Sequence, residues 1–418
     1  MPRGWRNIVS ILANLPVLLL AIVWRTVLRK TTFIAVTGSL GKTTSKDCLA
    51  AILAGVAPTS KTLGNDNGRR GLPRTILRVR PWHRYAVVEV GTDSPGKMIR
   101  GSLVLRPHVV VVLNVARTHT PAYRDLDHTA REKSRLMRFM HRTGLVVLNA
   151  GDERVRAMVP PRGRRVVYFG TAPDWEVRAE DVVSQWPGRL DFTAIHGDES
   201  CRVRTQLAGK HWLDSALAAI AAAKALGVSL EKAAEGIAGV VPYTARLSPW
   251  PLASGAVILR DDYNGSVDSF DQAVEVLRAA RASRKILVIS DCSDFRPKPR
   301  RRMCYYADVA REVADMVVFI GERCQQGVER ATRRGTAPEC ARGFQDFARA
   351  AGFLKNELRE GDLALIRGQT FHHLGRICYL LEGAIGCTRA HCDRRILCDN
   401  CDLLKFRRAP DEQLTPAK

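Results

Sequence analysis

Residues Thr37-Gly38-Ser39-Leu40-Gly41-Lys42-Thr43-Thr44 combine glycines, a lysine and hydroxyls in the order of a phosphate-binding turn. Phe33 to Val36 reads as a short buried strand, and DCLAAIL after the turn reads as a helix. Strand, glycine turn and helix together aim backbone N–H groups and a helix N-terminus at phosphate oxygens. In that geometry Gly38, Ser39, Gly41 and Thr44 surround the phosphates of ATP. Lys42 pairs with the β- and γ-phosphates, and Thr43 offers its hydroxyl to Mg2+. The general pattern has a glycine where this chain has Val36, so a chance Gly-Lys-Thr in a basic protein is the competing reading of this segment alone.

A second group of reactive residues is Cys387, His391, Cys392, Cys398 and Cys401, which fall within fifteen positions. One Cys-x-x-Cys knuckle with two more thiols nearby is poorly explained by core packing. Zinc held by the four sulfurs is the expectation, with His391 able to replace one of them. An iron–sulfur cluster and simple reduced cysteines stay open as alternatives. The expected role is structural, or the docking of a protein partner. The remaining cysteines, among them Cys48, Cys201, Cys292, Cys304 and Cys324, are scattered, and eleven is an odd total. That usage fits a reducing cytosol better than a disulfide scaffold.

The elements that must carry these residues fit a chain of 418 residues with 46% hydrophobic content, enough for two or three domains with cores of their own. A net charge of +23 points to polyanionic neighbours, although a solvated arginine surface explains much of it equally well. The basic residues are not interleaved with aromatic ones as in a single-strand binding platform, so no nucleic acid partner is expected. From Ile8 to Trp24 the chain is almost wholly apolar, with Arg3 and Arg6 before and Arg25, Arg29 and Lys30 after it. This is the lower limit of a membrane span. Trp5 and Trp24 sit where an interfacial belt would place them. Asn14 and Pro16 weaken a spanning helix, so one lying in a single leaflet is the other form of the same expectation, and a buried core helix is the bland alternative. A secretory signal is disfavoured because no small-residue cleavage site follows and a nucleotide site comes next. The expected location is the cytoplasmic face of the cell membrane.

Beyond the turn, several segments resemble the Mur ligase family, and within it the MurF type that adds a dipeptide to a muramyl peptide. TGSLGKTT resembles that family's phosphate loop. Gly64-Asn65-Asp66-Asn67 through Gly71-Leu72-Pro73 resembles its GN-x-N-x-x-G-x-P segment. AVVEVGTDSPGKM ends a hydrophobic strand at Glu89, and RPHVVVVLNVARTH ends another near Asn114 with His119 just beyond. HTAREKSRLM supplies Lys133, fourteen positions after His119, and GLVVLNAGDE is similar to a family strand ending in Asn-x-x-Asp. The resemblance implies that Glu89 and Thr43 hold one Mg2+ bridging the β- and γ-phosphates, and that His119 holds a second near the acceptor carboxylate. It also implies that Lys133 is carbamylated, which turns a cation into an anion able to bind metal. Bringing a carboxylate to ATP gathers several negative charges in one place, so cations must supply most of the stabilisation. Taken singly, Glu89 reads as a capping residue, His119 as a surface histidine and Lys133 as part of a solvated helix face.

After Ala208-Gly209-Lys210-His211, the helical run SALAAIAAAKALGV resembles the family's segment beside the nucleotide, but Ser215 stands where those relatives carry asparagine and Trp212 is unusual. Arg246 resembles the family's hinge arginine, with a surface arginine as the alternative. ILRDDYNGSVDSF is similar to the signature opening the C-terminal domain, which makes Asp261, Asp262, Tyr263 and Asn264 candidates for contacts on domain closure. The alternation KILVISD, helix, MVVFIGE, helix, GDLALIRGQT predicts a small Rossmann-like sheet. Asp291 in SDCSDFR and Gln369 depart from the family pattern, which implies a different amine substrate.

The expected α/β architecture is therefore a membrane-associating helix over residues 1–30 and a Mur-like ATP-binding central domain over 31–246. A Rossmann-like C-terminal domain follows over 247–385, then a Cys-rich tail over 386–418. Only about thirty residues precede the loop, so the domain with which MurF-type enzymes grip a UDP-sugar is expected to be missing and the acceptor to be held otherwise. A short anchor followed at once by such a core is similar to the poly-γ-glutamate synthases. The leading expectation is an ATP-dependent, ADP-forming ligase that joins an amine to a carboxylate through an acyl phosphate. The rivals are a polymer synthase of the same chemistry and a membrane-tethered nucleotide-binding scaffold. A transport ATPase is weaker, because only one hydrophobic segment is present.

Overall fold

The computed structural model describes residues 3–408 apart from 69, 93, 117–124, 264, 266, 292–298, 388, 390, 391 and 395. The chain divides into two units, residues 1–184 with 189–241, and residues 185–188 with 242–418.

The first unit is built on nine strands: β1 (Thr32–Thr37), β2 (Thr59–Lys61), β3 (Tyr85–Glu89), β4 (Val109–Val112), β5 (Leu145–Asn149), β6 (Arg165–Gly170), β7 (Val177–Val183), β8 (Asp191–His196) and β9 (Glu199–Arg204). Their order is β2-β3-β1-β4-β5-β6-β7-β8-β9, parallel as far as β7 and antiparallel across β7, β8 and β9. The central strands TFIAVT, YAVVE, VVVV and LVVLN are runs of β-branched residues buried on both faces, which suits a parallel sheet covered by helices on each side. On one face lie helix α2 (Lys42–Ala54) and the helix Leu213–Ala225, whose Leu217, Ala219 and Ile220 are buried against Ile34, Val111 and Val147. Alanines on that second helix let the two backbones approach closely. Truncating Leu217 there would cost about 2–5 kcal/mol.

Helix α1 (Arg3–Val27) packs on the other face of this unit. Ala21 and Leu28, just past its end, are buried with Phe33, Val88 and Val110. Trp24 Nε1 donates to the Val79 carbonyl at 2.8 Å, and Arg25 Nε donates to the Leu105 carbonyl at 2.7 Å. The opposite side of α1 is apolar and exposed, with Leu19 at 54%, Leu20 at 58% and Val23 at 61%. Among the described residues, no helix is long and apolar enough to cross a membrane.

The second unit carries β10 (Ser248–Pro251), β11 (Val257–Asp261), β12 (Lys285–Ser290), β13 (Met316–Ile320), β14 (Ala341–Phe344) and β15 (Leu363–Arg367), in the order β10-β11-β15-β12-β13-β14. All pairs are parallel except β10 with β11. Parallel α/β sheets in both units agree with the alternation read from the sequence. Among the described residues, the tail carries a 3-10 turn, Cys398–Asn400, and the two-residue strand β17 (Arg407–Arg408), which pairs antiparallel with β16 (Gly383–Ala384) just before it.

Candidate active site

Strand order assembles the site. β1 lies between β3 and β4, with Val36 opposite Glu89 and Thr37 opposite Val112. The chain leaves β1 for its neighbours on both sides, which opens the crevice beyond the strand C-termini where ligands of such sheets bind. Three loops therefore meet there, after Thr37, Glu89 and Val112.

The turn from Gly38 to Gly41 is held by its neighbours. Asn114 Oδ1 accepts from the backbone N–H of Ser39 at 3.0 Å and of Leu40 at 2.8 Å, and Asn114 Nδ2 donates to the Leu40 carbonyl at 3.3 Å. Lys42 Nζ donates to the carbonyls of Gly38 and Ser39 at 2.8 and 2.9 Å, folding its ammonium back over the loop. Gly41 stands at φ 79°, a left-handed conformation that favours glycine, and caps the start of α2. A Cβ there would meet Ser215 Oγ at 2.3 Å. Ser215 Oγ itself donates to the Gly41 carbonyl at 3.3 Å. The residue that departs from the family pattern therefore sits directly on the loop, where a larger side chain would need the turn to move.

Glu89 is the buried acid of the site. Its Oε2 accepts from Thr43 Oγ1 at 3.0 Å and its Oε1 from Asn67 Nδ2 at 2.7 Å, while its backbone N–H donates to Thr62 Oγ1 at 3.1 Å. Thr43 is fully buried and Glu89 nearly so. A carboxylate fixed beside a loop hydroxyl at a helix N-terminus is an all-oxygen donor set, which fits a hard cation such as Mg2+. Thr44 is buried on the same turn of α2.

Lys133, on the helix Leu126–Ser134, is buried. Burial holds its amine well below the usual lysine range, Lys42's charge adds to this, and Glu132 opposes it. Around the exit of β5, Asn149 Nδ2 donates to Asp214 Oδ2 at 3.0 Å, and Asp152 Oδ2 accepts from the Val115 N–H at 2.7 Å. Burial raises the Asp214 carboxyl above its usual range; the Asn149 hydrogen bond opposes this and the Asp152 charge adds to it.

Sequence reasoning thus placed Gly38, Ser39, Gly41, Lys42, Thr43, Thr44, Glu89 and Asn114 at one crevice, and the structure gathers them there. His119 lies outside the described residues. Asn67, which grips Glu89, appeared in the sequence only as part of a resembling segment; its amide beside an acid carried no periodic signal. Lys46 was not singled out at all. Fully buried, it donates to the Thr62 and Gly64 carbonyls at 3.0 and 2.5 Å and so tethers the segment that bears Asn67.

In the second unit Arg246 lies over the rings of Tyr263 and Tyr243 at 4.9 and 5.7 Å. Asp261 pairs with Arg367 across β11 and β15, and Arg367 also donates to Ser269 Oγ at 2.6 Å. Burial raises the Asp261 carboxyl above its usual range, with Arg367 and Arg246 opposing. Asp262 accepts from Arg260 Nε at 3.2 Å, and the Tyr263 carbonyl accepts from Thr370 Oγ1 at 2.5 Å. Asp261 and Asp262 are thus committed to arginines of their own unit. Gln369 Nε2 donates to the Gly265 carbonyl at 3.4 Å, and Asp291 pairs with Arg302. Asn264 and His391 lie outside the described residues. Among the described residues, no three His, Cys, Asp or Glu side chains stand at metal-ligand spacing, in the crevice or in the cysteine tail.

Residues 36–223 match the family model of the Mur ligase middle domain, and residues 246–370 match that of the Mur ligase glutamate ligase domain. The UDP-N-acetylmuramoyl-tripeptide–D-alanyl-D-alanine ligase of Escherichia coli K12 is 29% identical over 293 residues, which cover 69% of this chain and 64% of that protein. The ligase of the same name from Borreliella burgdorferi is 28% identical over 361 residues, covering 84% and 75%. A crystal structure of MurF from Acinetobacter baumannii superposes with a TM-score of 0.80 at 28% identity, over 88% of this chain and 80% of that one. MurF from Thermotoga maritima in complex with ADP shares the fold, with a TM-score of 0.73 at 19% identity over 88% and 82%.

Proposed function

The chain belongs to the Mur ligase family and is MurF-like, and from that premise we propose that it is an ATP-dependent, ADP-forming ligase that makes an amide bond at the cytoplasmic face of the membrane. The observation that carries the reading is the Thr43–Glu89–Asn67 chain of hydrogen bonds beside a phosphate loop with a folded-back lysine. The backbone N–H groups at the N-terminus of α2 take the ATP phosphates, and Lys42 turns from its two carbonyls to the β- and γ-phosphates. Thr43 and Glu89 would hold a Mg2+ ion, which would supply charge neutralisation for the approach of a second anion. A carboxylate oxygen of the acceptor attacks the γ-phosphorus, the bond to the β,γ-bridging oxygen breaks, and ADP leaves. The amine then attacks the acyl carbon, phosphate departs with the C–O electron pair, and one proton is released.

Lys133 fits carbamylation on electrostatic grounds. Two ammonium groups near each other in a buried site repel, whereas a carbamate on Lys133 would pair with Lys42. Incubation with 13C-bicarbonate should give one carbamate carbon signal in carbon NMR that Lys133→Ala abolishes; its persistence in that variant would sink the assignment.

The membrane reading rests on the exposed apolar side of α1, with Trp24 and Arg25 fixing the helix so that Leu19, Leu20 and Val23 face outward. Such a helix lies in the interface plane rather than across it. The protein should co-sediment with anionic lipid vesicles, and replacing Leu19, Leu20 and Val23 by serine should release it. Equal sedimentation of the two would remove the membrane from the reading.

The ligase itself is tested by ADP release from purified protein with panels of acceptor carboxylates and amines, products read by mass spectrometry. Release that depends on both substrates is expected. ATP binding without substrate-dependent release would instead make the chain a nucleotide-binding scaffold.

A further inference from the structure

The cysteine tail contains very little that could hold it folded. Among the described residues of 386–408, the buried apolar ones are Leu397 and Leu404, and regular structure amounts to one 3-10 turn and a two-residue strand. A segment of this size with so small a core needs a covalent or metal staple. Even so, it is packed at a defined place on the second unit. Asp399, between Cys398 and Cys401, accepts from Arg260 Nη1 at 2.6 Å and Nη2 at 3.0 Å, and from Tyr379 Oη at 2.8 Å.

Cys387, Cys392, Cys398 and Cys401 all line one cavity of about 10 Å3, together with His373, Arg376 and Arg394. That volume holds one water-sized particle. Two guanidiniums face the sulfurs: Arg376 Nη1 lies 3.6 Å from Cys387 Sγ and Arg394 Nη1 lies 3.3 Å from Cys401 Sγ. Arg376 is buried, and its Nη2 has no hydrogen-bond partner among the described residues. Cations turned toward thiols, one with an unanswered donor, are the surroundings of sulfurs that carry negative charge. His373 completes the wall, its Nε2 meeting the Cys392 carbonyl at 3.2 Å and its Nδ1 the Cys398 sulfur at 3.3 Å.

We propose that Cys387, Cys392, Cys398 and Cys401 bind a single structural Zn2+ in this cavity, with Arg376 and Arg394 balancing the charge and His373 lining the cavity outside the ligand set. Four thiolates select a soft or borderline cation and close a tetrahedral site, leaving no open position for catalysis. On binding, the sulfurs give up their protons and converge across the cavity to about 2.3 Å from the metal. A one-particle cavity disfavours an iron–sulfur cluster, which needs room for several atoms. The ion would lock Cys398 to Cys401 and hence Asp399 onto Arg260, whose other partner is Asp262 on the strand end that carries the family signature.

The full chain, purified under reducing conditions, should carry one zinc per molecule by elemental analysis and show no visible iron–sulfur absorption. The double variant Cys398→Ser/Cys401→Ser should lose the metal and unfold at lower temperature, while His373→Gln should keep its zinc. Wild-type protein without stoichiometric zinc, with iron in its place, or with the four sulfurs paired as disulfides by thiol counting would overturn the site. Loss of zinc in His373→Gln would overturn the four-sulfur ligand set.

Discussion

The phosphate loop and the Arg260 network both bury charge, but they are held in different ways. At the loop, the contacts are short-range consequences of one strand order: Glu89, Thr43 and Asn114 meet because β1 runs between β3 and β4. In the network, Arg260 on β11 is answered by Asp262 two residues away and by Asp399 in the tail, 139 residues on. The first site is built by the sheet, and its Lys42 rests on two loop carbonyls of the turn itself. The second satisfies its charges internally, so it stabilises and positions rather than reacts.

That contrast can be broken first at the network. Burial opposes ionisation of Asp399, yet Arg260 and the Tyr379 hydrogen bond hold its carboxyl below its usual range. Asp399→Ala takes one of the two carboxylates from buried Arg260, leaves Asp262 as its remaining carboxylate partner, and should cost about 3 kcal/mol. The loss should appear in denaturant unfolding, with nucleotide affinity unchanged. A large loss of ATP binding would mean that the two regions are not separable.

At the loop the expected effect is on rate. Glu89→Ala should lower substrate-dependent ADP release about 10²–10³-fold, the scale of one well-placed electrostatic contact, while shifting the unfolding midpoint little. Unchanged turnover would remove Glu89 from the chemistry.

Smaller again is the backbone term. Gly41→Ala forces a left-handed alanine and a clash with Ser215 Oγ, and should weaken nucleotide binding by about 1–2 kcal/mol. Calorimetric titration with ADP measures it. Adding Ser215→Gly should restore only the part due to the clash, so full restoration would show that the φ strain is negligible.

The smallest effect is on pH. Each unit holds a histidine whose pKa is lowered to about 4: His108, which accepts from the Phe33 N–H at 3.0 Å, and His372, 2.7 Å from Ser290 Oγ. Burial is the largest cause in both. The unfolded chain binds these protons at higher pH than the folded one, so the stability contribution is complete above the ordinary histidine pKa of about 6.5. It is lost as pH falls from there toward 4. After discounting for partial solvent screening, about 1 kcal/mol per group is expected, read from unfolding midpoints across that window. His108→Gln and His372→Gln should each flatten the slope, and an unaltered slope in both would assign the pH dependence elsewhere.

The loop residues were legible because their chemistry is written in adjacent positions: a buried strand, a glycine turn and Lys42-Thr43 at a helix start impose the geometry locally. Glu89 and Asn114 were legible as polar residues ending β-branched runs. Arg260, Arg367 and Arg376 were not, because in a chain with 65 lysines and arginines nothing in their type separates a buried guanidinium from a solvated one. Lys46 and Asn67 were hidden for the same reason, since their partners lie on other loops.

By itself, then, the sequence determined the strands, the phosphate turn and the family, because backbone preference and hydrophobic period act over a few residues. Tertiary structure alone decided which carboxylate meets Thr43, which arginines are buried, and that four cysteines share one cavity. Those outcomes depend on strand order and long-range pairing, which no local spacing encodes.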